Sequence, residues 1–401
     1  MKLNLLIFLV LAQSVPEGER RTITELEALE LLQATPNAQS IALQKQRDLA
    51  EARRPGVWPN PAISFTRERA GGVTDEFLTV EQALPVTGRL GLEREAAEVA
   101  VQAAAGRLDL VWLALRADVR TTFYDLLFAQ HRTAALVEGR DRMEELVQIL
   151  RIREQEGESS GFDRMRAERE LAEVGVDLLE ARREQDRARL NLSGLLALEG
   201  GTELWADGRL EELRAVPPLD ALLVRADTRG DVVAYELERQ SGELRHRAAS
   251  RRAIPEPSLI LGMKKIEGFD ESGRGPVFSL TVPLPLFNRG QADAALAEAD
   301  QALARSRFQA RRTMALTEIE SVHQEVLRRR EAEELYRRSA DSEELVRIAR
   351  MAYDEGEQGI LELLDAYRTA LAVRLRGLEL AAASRRSRIT LDLVVGEEVV
   401  P

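Results

Sequence analysis

The stretch Val282-Pro283-Leu284-Pro285-Leu286-Phe287-Asn288-Arg289-Gly290-Gln291 decides the reading, because Leu84-Pro85-Val86-Thr87-Gly88-Arg89 anticipates it 200 residues earlier. Each stretch closes a pair of extended runs. Ala62-Ile63-Ser64-Phe65-Thr66 and Glu76-Phe77-Leu78-Thr79-Val80 flank Gly71-Gly72 before the first. Ser258-Leu259-Ile260-Leu261-Gly262-Met263 and Val277-Phe278-Ser279-Leu280-Thr281-Val282 flank a loop rich in Gly and acid before the second. Period-2 alternation with β-branched and aromatic residues predicts strands over about 61–69, 75–84, 257–266 and 276–285.

Outward from these landmarks the chain repeats itself. Upstream, helical patterns from about Thr24 to Arg54 and from about Leu219 to Arg252 each end at an arginine pair followed by prolines. Thr24 with Glu27 three residues on has the capping-box pattern. Downstream, proline-free helical patterns run from about Arg89 to Gln155 and from about Gln291 to Glu355. At 1.5 Å per residue each is roughly 100 Å long. They break at Gly157 and Gly356, 199 residues apart, and shorter helices return from about Asp163 to Leu198 and Leu361 to Val395. Constant spacing across these landmarks predicts an internal duplication, 15–205 and 206–401, with helical hairpins over about 88–198 and 289–395. The fold class expected is mainly α with a small β part.

Composition agrees. The 401 residues carry a net charge of −12, with 44% apolar and only 4% aromatic residues, which suits long Ala/Leu/Glu/Arg helices. An acidic balance argues against nucleic-acid binding. The absence of cysteine excludes disulfides, thiolate metal sites and a lipidated N-terminal Cys. Lys2, the apolar run Leu3 to Ala12 and Ser14 form a secretory-signal pattern, so residues 1–14 are expected to be a signal peptide. No other stretch reaches the ~20 apolar residues of a spanning helix. Membrane insertion, if any, is therefore by strands. Four strands cannot close a barrel, whose smallest membrane form has about eight, and open edges are not tolerated in lipid. Several chains would have to share one barrel. A soluble sheet capping a helical spacer, or a periplasmic adaptor with helical hairpins, is the competing reading.

These residues resemble the TolC family of outer-membrane efflux ducts over nearly the whole mature chain. Trp58-Pro59-Asn60-Pro61, Ile254-Pro255-Glu256-Pro257 and the Pro-Leu-Phe-Asn-Arg stretch look like its CzcC-type branch, which serves heavy-metal cation exporters. The resemblance implies a homotrimer. Each chain would give four strands to one β-barrel in the outer membrane and four long helices to a periplasmic α-helical tunnel. It also implies a periplasmic adaptor (a membrane fusion protein) and an inner-membrane resistance-nodulation-division pump as partners. A drug or other small-molecule duct of the same family is the alternative cargo reading. Many such ducts carry a lipidated Cys; its absence leaves the barrel, in contact with outer-membrane lipid, as the expected anchor.

The resemblance further implies that Glu362 and Asp365 line the tunnel aperture, with Asp163 in the equivalent first-repeat place and Arg166 instead of a second acid. Tyr353 and Asp163 would tie neighbouring hairpins, the family's arginine position being Gln358. Gly157 and Gly356 mark the tips where the adaptor docks. Spacing independently puts Glu362 and Asp365, at i and i+3, on one helix face, and repeated around an axis they would form a cation-favouring ring. The alternative for acids at a helix start is interaction with the helix dipole. His131, His246 and His323 lie on helical patterns with no second ligand at metal-like spacing, so each is expected to be a partly exposed helix residue. Nucleotide-binding and acyl-transfer motifs are absent. No cofactor, no metal site and no enzymatic activity are expected.

Overall fold

The computed structural model describes residues 20–198, 203–211, 215–268, 272–339 and 342–398. The expected signal segment 1–14 lies outside the described residues, as does part of the loop before Ser272. In chain order the elements are β1 (Arg20–Ile23), α1 (Glu25–Gln33), α2 (Pro36–Glu51), β2 (Ala62–Ala70) and β3 (Val73–Ala83). Then come α3 (Arg89–Glu156), α4 (Gly161–Leu195), β4 (Glu203–Ala206), α5 (Leu219–Leu223) and α6 (Gly230–Ser250). The chain continues through β5 (Ser258–Glu267), β6 (Ser272–Thr281), α7 (Gln291–Ser339), α8 (Ser342–Asp354) and α9 (Ile360–Val395).

Several boundaries differ from expectation: the helix expected over 291–355 is described as α7 and α8, the fourth strand starts at Ser272 rather than about 276, and three further differences have a local reason. The helix expected over 24–54 is two helices, because Pro36 has no N–H to continue α1 and instead opens α2. Thr35 caps the new start, accepting from the Ala38 N–H at 3.3 Å. The helix expected over 219–252 is broken by 3-10 turns at Val224–Thr228 and Arg251–Ala253. The fourth strand ends at Thr281 rather than 285, since Pro283 and Pro285 cannot donate to a ladder. Thr24 does form its capping box, its N–H reaching Glu27 Oε2 at 2.7 Å.

The chain divides into two compact units. One comprises Ser40–Val111 and Leu223–Glu318 and holds an antiparallel sheet in the order β2-β3-β5-β6. The pairing register sets its faces. Phe65, Leu78, Met263 and Pro276 stand in one cross-strand row, and Ile63, Val80, Leu261 and Phe278 in the next row of the same face. All of these but Pro276 are exposed large apolar side chains. The opposite face carries Ser64, Thr79, Gly262 and Val277 in one row. Helices α3 and α6 meet in this unit where Gly106 faces Gly230: a Cβ on either would stand 2.8 Å from the other's carbonyl oxygen. Leu92, Ala96, Leu244 and Ala248 form a small core between the same helices.

The other unit holds the described residues up to Gln39, Trp112–Leu222 and those from Ile319 onward. Here β1 pairs in parallel with β4, a contact that no sequence pattern announces. Its main core gathers Ile23, Leu32, Phe123, Leu126, Leu192, Leu204 and Ile389. Arg120 is clamped in the same region by Glu25 at 2.6 Å and Asp392 at 2.8 Å. Burial works against its charge, but the two carboxylates outweigh it and hold the guanidinium above its ordinary pKa. His323, expected to be partly exposed, is buried, with Nε2 3.0 Å from the Pro217 carbonyl oxygen. A second core at the hairpin end packs Met143, Leu146 and Leu150 of α3 against Ala167, Ala349, Ile360, Leu363 and Leu364.

Candidate functional site

Both helical hairpins turn by the same local device. After α3, Gly157 sits at φ +80°, and the Glu158 N–H reaches back to the Arg153 carbonyl at 2.8 Å. After α8, Gly356 sits at φ +75°, and the Glu357 N–H reaches the Ala352 carbonyl at 2.9 Å. A left-handed residue lets these N–H groups satisfy the last helical carbonyls, and glycine takes that conformation without a Cβ clash. A Cβ on either glycine would meet no heavy atom within 4 Å, so both tips are open on the outside.

The residues beyond each glycine differ. Ser160 caps α4, accepting from the Asp163 N–H at 3.2 Å, and Ser159 Oγ lies 3.4 Å from Asp163 Oδ2. Asp163 is therefore half-buried and engaged with its own helix start. Gly359 precedes α9 without a side-chain cap. Within that first turn Ile360, Leu363, Leu364 and Ala366 are buried, which leaves Glu362 and Asp365 together on the exposed face. Among the described residues neither carboxylate has an ion-pair or hydrogen-bond partner. The flanking helices are more densely paired, through Arg142–Glu343, Arg350–Glu145, Arg164–Glu168 and Arg368–Glu170, and the Arg368 charge also acts on Asp365 one turn away.

Tyr353 and Asp163 are not brought together within the chain. Tyr353 is half-buried against the hairpin core, and the Arg153 guanidinium lies over its ring at 5.3 Å. The same guanidinium donates to Asp354 Oδ1 at 3.0 Å. Arg153 thus ties the end of α3 to the end of α8, a role for which Gln358 lacks the charge. Sequence reasoning misses it because one arginine in an arginine-rich helix gives no local signal. Among the described residues no group of three His, Cys, Asp or Glu side chains is arranged to hold a metal ion. No described helix is long and apolar enough to cross a membrane.

A four-stranded sheet with one apolar exposed face thus stands in a chain otherwise built mostly of long helices. The family described as outer membrane efflux protein matches residues 230–397. The cobalt-zinc-cadmium resistance protein CzcC of Cupriavidus metallidurans is 25% identical over 380 residues, 92% of this chain and 90% of that protein. The nickel-cobalt-cadmium resistance protein NccC of Alcaligenes xylosoxydans xylosoxydans is 24% identical over 64% of this chain and 59% of its own. A solved structure of CusC, reported with conformational changes accompanying transmembrane channel formation, superposes with TM-score 0.78 at 19% identity, covering 93% of this chain and 92% of that one. The chain has the TolC-like fold, and its residues 230–397 are similar to the outer membrane efflux proteins.

Proposed function

We propose that the chain forms, as a homotrimer, the passive exit duct of a tripartite exporter of heavy-metal cations. Four strands from each of three chains close one barrel, since four alone leave open edges that lipid does not tolerate. The hairpin tips at Gly157 and Gly356 receive a periplasmic adaptor, and an inner-membrane pump supplies the energy. The observation that carries the mechanism is the pair of carboxylates, Glu362 and Asp365, exposed side by side at the start of α9. Three copies about an axis give a ring of negative charge that favours cations over anions. Asp163 lies in the corresponding turn of α4 and adds to it. Arg153, Asp354 and Tyr353 hold the two tips of each chain together at rest. Adaptor contact opens the aperture only to the extent that it favours separated tips over tied ones. Metal ions are cargo, and the chain carries no reaction of its own. The cargo assignment rests on the cobalt, zinc, cadmium and nickel resistance proteins among its relatives. Deleting the chain from its host should lower tolerance to cobalt, zinc or cadmium, and wild type should restore it. Unchanged metal tolerance with increased drug sensitivity would instead identify a drug duct.

A further inference from the structure

The apolar face of the sheet is too short for the membrane it meets. On β5 it runs from Leu259 to Met263 and on β6 from Pro276 to Leu280. Four residue steps at ~3.4 Å give about 14 Å. Outer-membrane barrels present an apolar band of about 25 Å, flanked by aromatic residues. Beyond Met263 the face cannot extend, because the next row is Arg67, Glu76, Lys265 and Arg274. Arg67 and Glu76 pair there at 3.5 Å, and Lys265 approaches Glu76 at 3.9 Å. The missing height must come from the other end of the sheet.

That end is where β2 begins, β6 ends, and the connections to α3 and α7 leave. The Leu84 N–H donates to the Pro257 carbonyl at 2.8 Å, so the connections on the two sides are joined. Past β6 the exposed apolar residues continue at two-residue spacing: Val282 at 45%, Leu284 at 71% and Leu286 at 65% exposed. Phe287 follows at 92% exposed, and Trp58, before β2, is 58% exposed. The loop is held rather than loose. The Leu286 N–H closes on the Leu284 carbonyl at 2.8 Å around Pro285, and Gln291 Nε2 donates to the Phe287 carbonyl at 3.2 Å.

Charge distinguishes the two junctions. Arg89 is consumed internally by Glu256 at 3.0 Å and Glu93 at 2.8 Å. Its counterpart Arg289 is exposed, as are Arg53 and Arg54 on the segment joining α2 to β2. Among the described residues these three guanidinium groups have no carboxylate partner. Exposed aromatics beside unpaired arginines suit a bilayer interface, the ring entering the acyl boundary and the guanidinium binding phosphate oxygens.

We propose that Trp58, Leu284, Leu286 and Phe287 form a lip that enters the periplasmic leaflet of the outer membrane, with Arg53, Arg54 and Arg289 binding its anionic phospholipid headgroups. The lip continues the apolar face of the sheet and completes the height that the strands lack. This inference rests on the strands lying in lipid, and the test separates the two. Phe287→Trp and Phe65→Trp are each made in a Trp58→Phe/Trp112→Phe/Trp205→Phe background, which removes the three native tryptophans, and the full-length oligomer is reconstituted in vesicles with acyl-brominated phospholipid. Both tryptophans should lose most of their fluorescence to bromine. Quenching at position 65 without quenching at 287 overturns the lip, and acrylamide then tells whether water or a neighbouring chain covers it. No quenching at either position overturns the membrane sheet as well. Replacing phosphatidylcholine by phosphatidylglycerol should raise the oligomer's melting temperature, and Arg53→Gln/Arg54→Gln/Arg289→Gln should abolish that rise. A rise that survives in the triple variant overturns the phosphate-binding role.

Discussion

Replacing Arg153 by Ala should loosen the resting aperture, by an amount the geometry of the tips sets. Arg153 and Asp354 lie 3.0 Å apart with side chains 30% and 51% exposed. An exposed ion pair of this kind is worth about 0.2–1 kcal/mol. The cation–π contact with Tyr353 at 5.3 Å adds about 0.5–1 kcal/mol at an exposed site. Together they hold one chain's tips by about 1 kcal/mol, roughly a fivefold bias. If three chains open as a unit, the bias becomes about 3 kcal/mol, on the order of 150-fold. The assay is single-channel recording of the purified oligomer in a planar bilayer without adaptor. Arg153→Ala should greatly increase the open-time fraction, and Arg153→Lys should fall between, keeping charge but losing the planar stack. Arg142→Ala, which breaks an ion pair with Glu343 farther up α3, should change little. Equal open fractions for wild type and Arg153→Ala would refute the tie. So would an effect no larger than that of Arg142→Ala.

Other residues give independent tests. Glu333 is buried, and that burial raises its pKa against the opposing hydrogen bond to Ser384. The folded state then holds this proton more tightly than the unfolded chain, so its charge costs stability at neutral pH and the cost fades as pH falls through the folded pKa. Glu333→Gln should therefore raise the melting temperature at pH 7, and the gain should shrink toward the ordinary carboxylate value of 4.5; a gain independent of pH would contradict it. Glu138 behaves oppositely: its hydrogen bond from Arg374 lowers its pKa, so the stability it contributes is lost only below that ordinary value. Gly106→Ala puts a methyl 2.8 Å from the Gly230 carbonyl and should cost about 1–3 kcal/mol by overpacking. Gly175→Ala, in α4 with nothing within 4 Å, should instead stabilise by about 0.4–1 kcal/mol. Thermal melts of both variants check the pair, and equal shifts would show that α3 and α6 do not approach as described.

What the sequence makes legible is local. Alternation at Ile63, Phe65, Leu78 and Val80 marks strands because one face is apolar, and the prolines at 85 and 285 mark where pairing must stop. Gly157 and Gly356 stand out because a left-handed turn between two long helices needs them. Pro36 is easily passed over because apolar periodicity runs on through α1 and α2, although proline at a helix start interrupts the hydrogen-bond ladder. The β1–β4 pair is illegible for another reason: two four-residue strands paired in parallel across the chain have no turn between them to signal it. Arg153 and His323 belong to the same class, since their partners Asp354 and Pro217 are distant in sequence. At the aperture, spacing puts Glu362 and Asp365 on one face, but only packing of Leu363 and Leu364 beneath them makes that face the exposed one.

The central claim, a cation-selecting duct with its acidic constriction on α9, is tested most directly by the reversal potential of the reconstituted oligomer across a salt gradient. Wild type should conduct and favour cations, and Glu362→Gln/Asp365→Asn should still conduct while losing most of that preference. A protein that forms no pore, or one whose selectivity is untouched by removing both charges, would contradict the account.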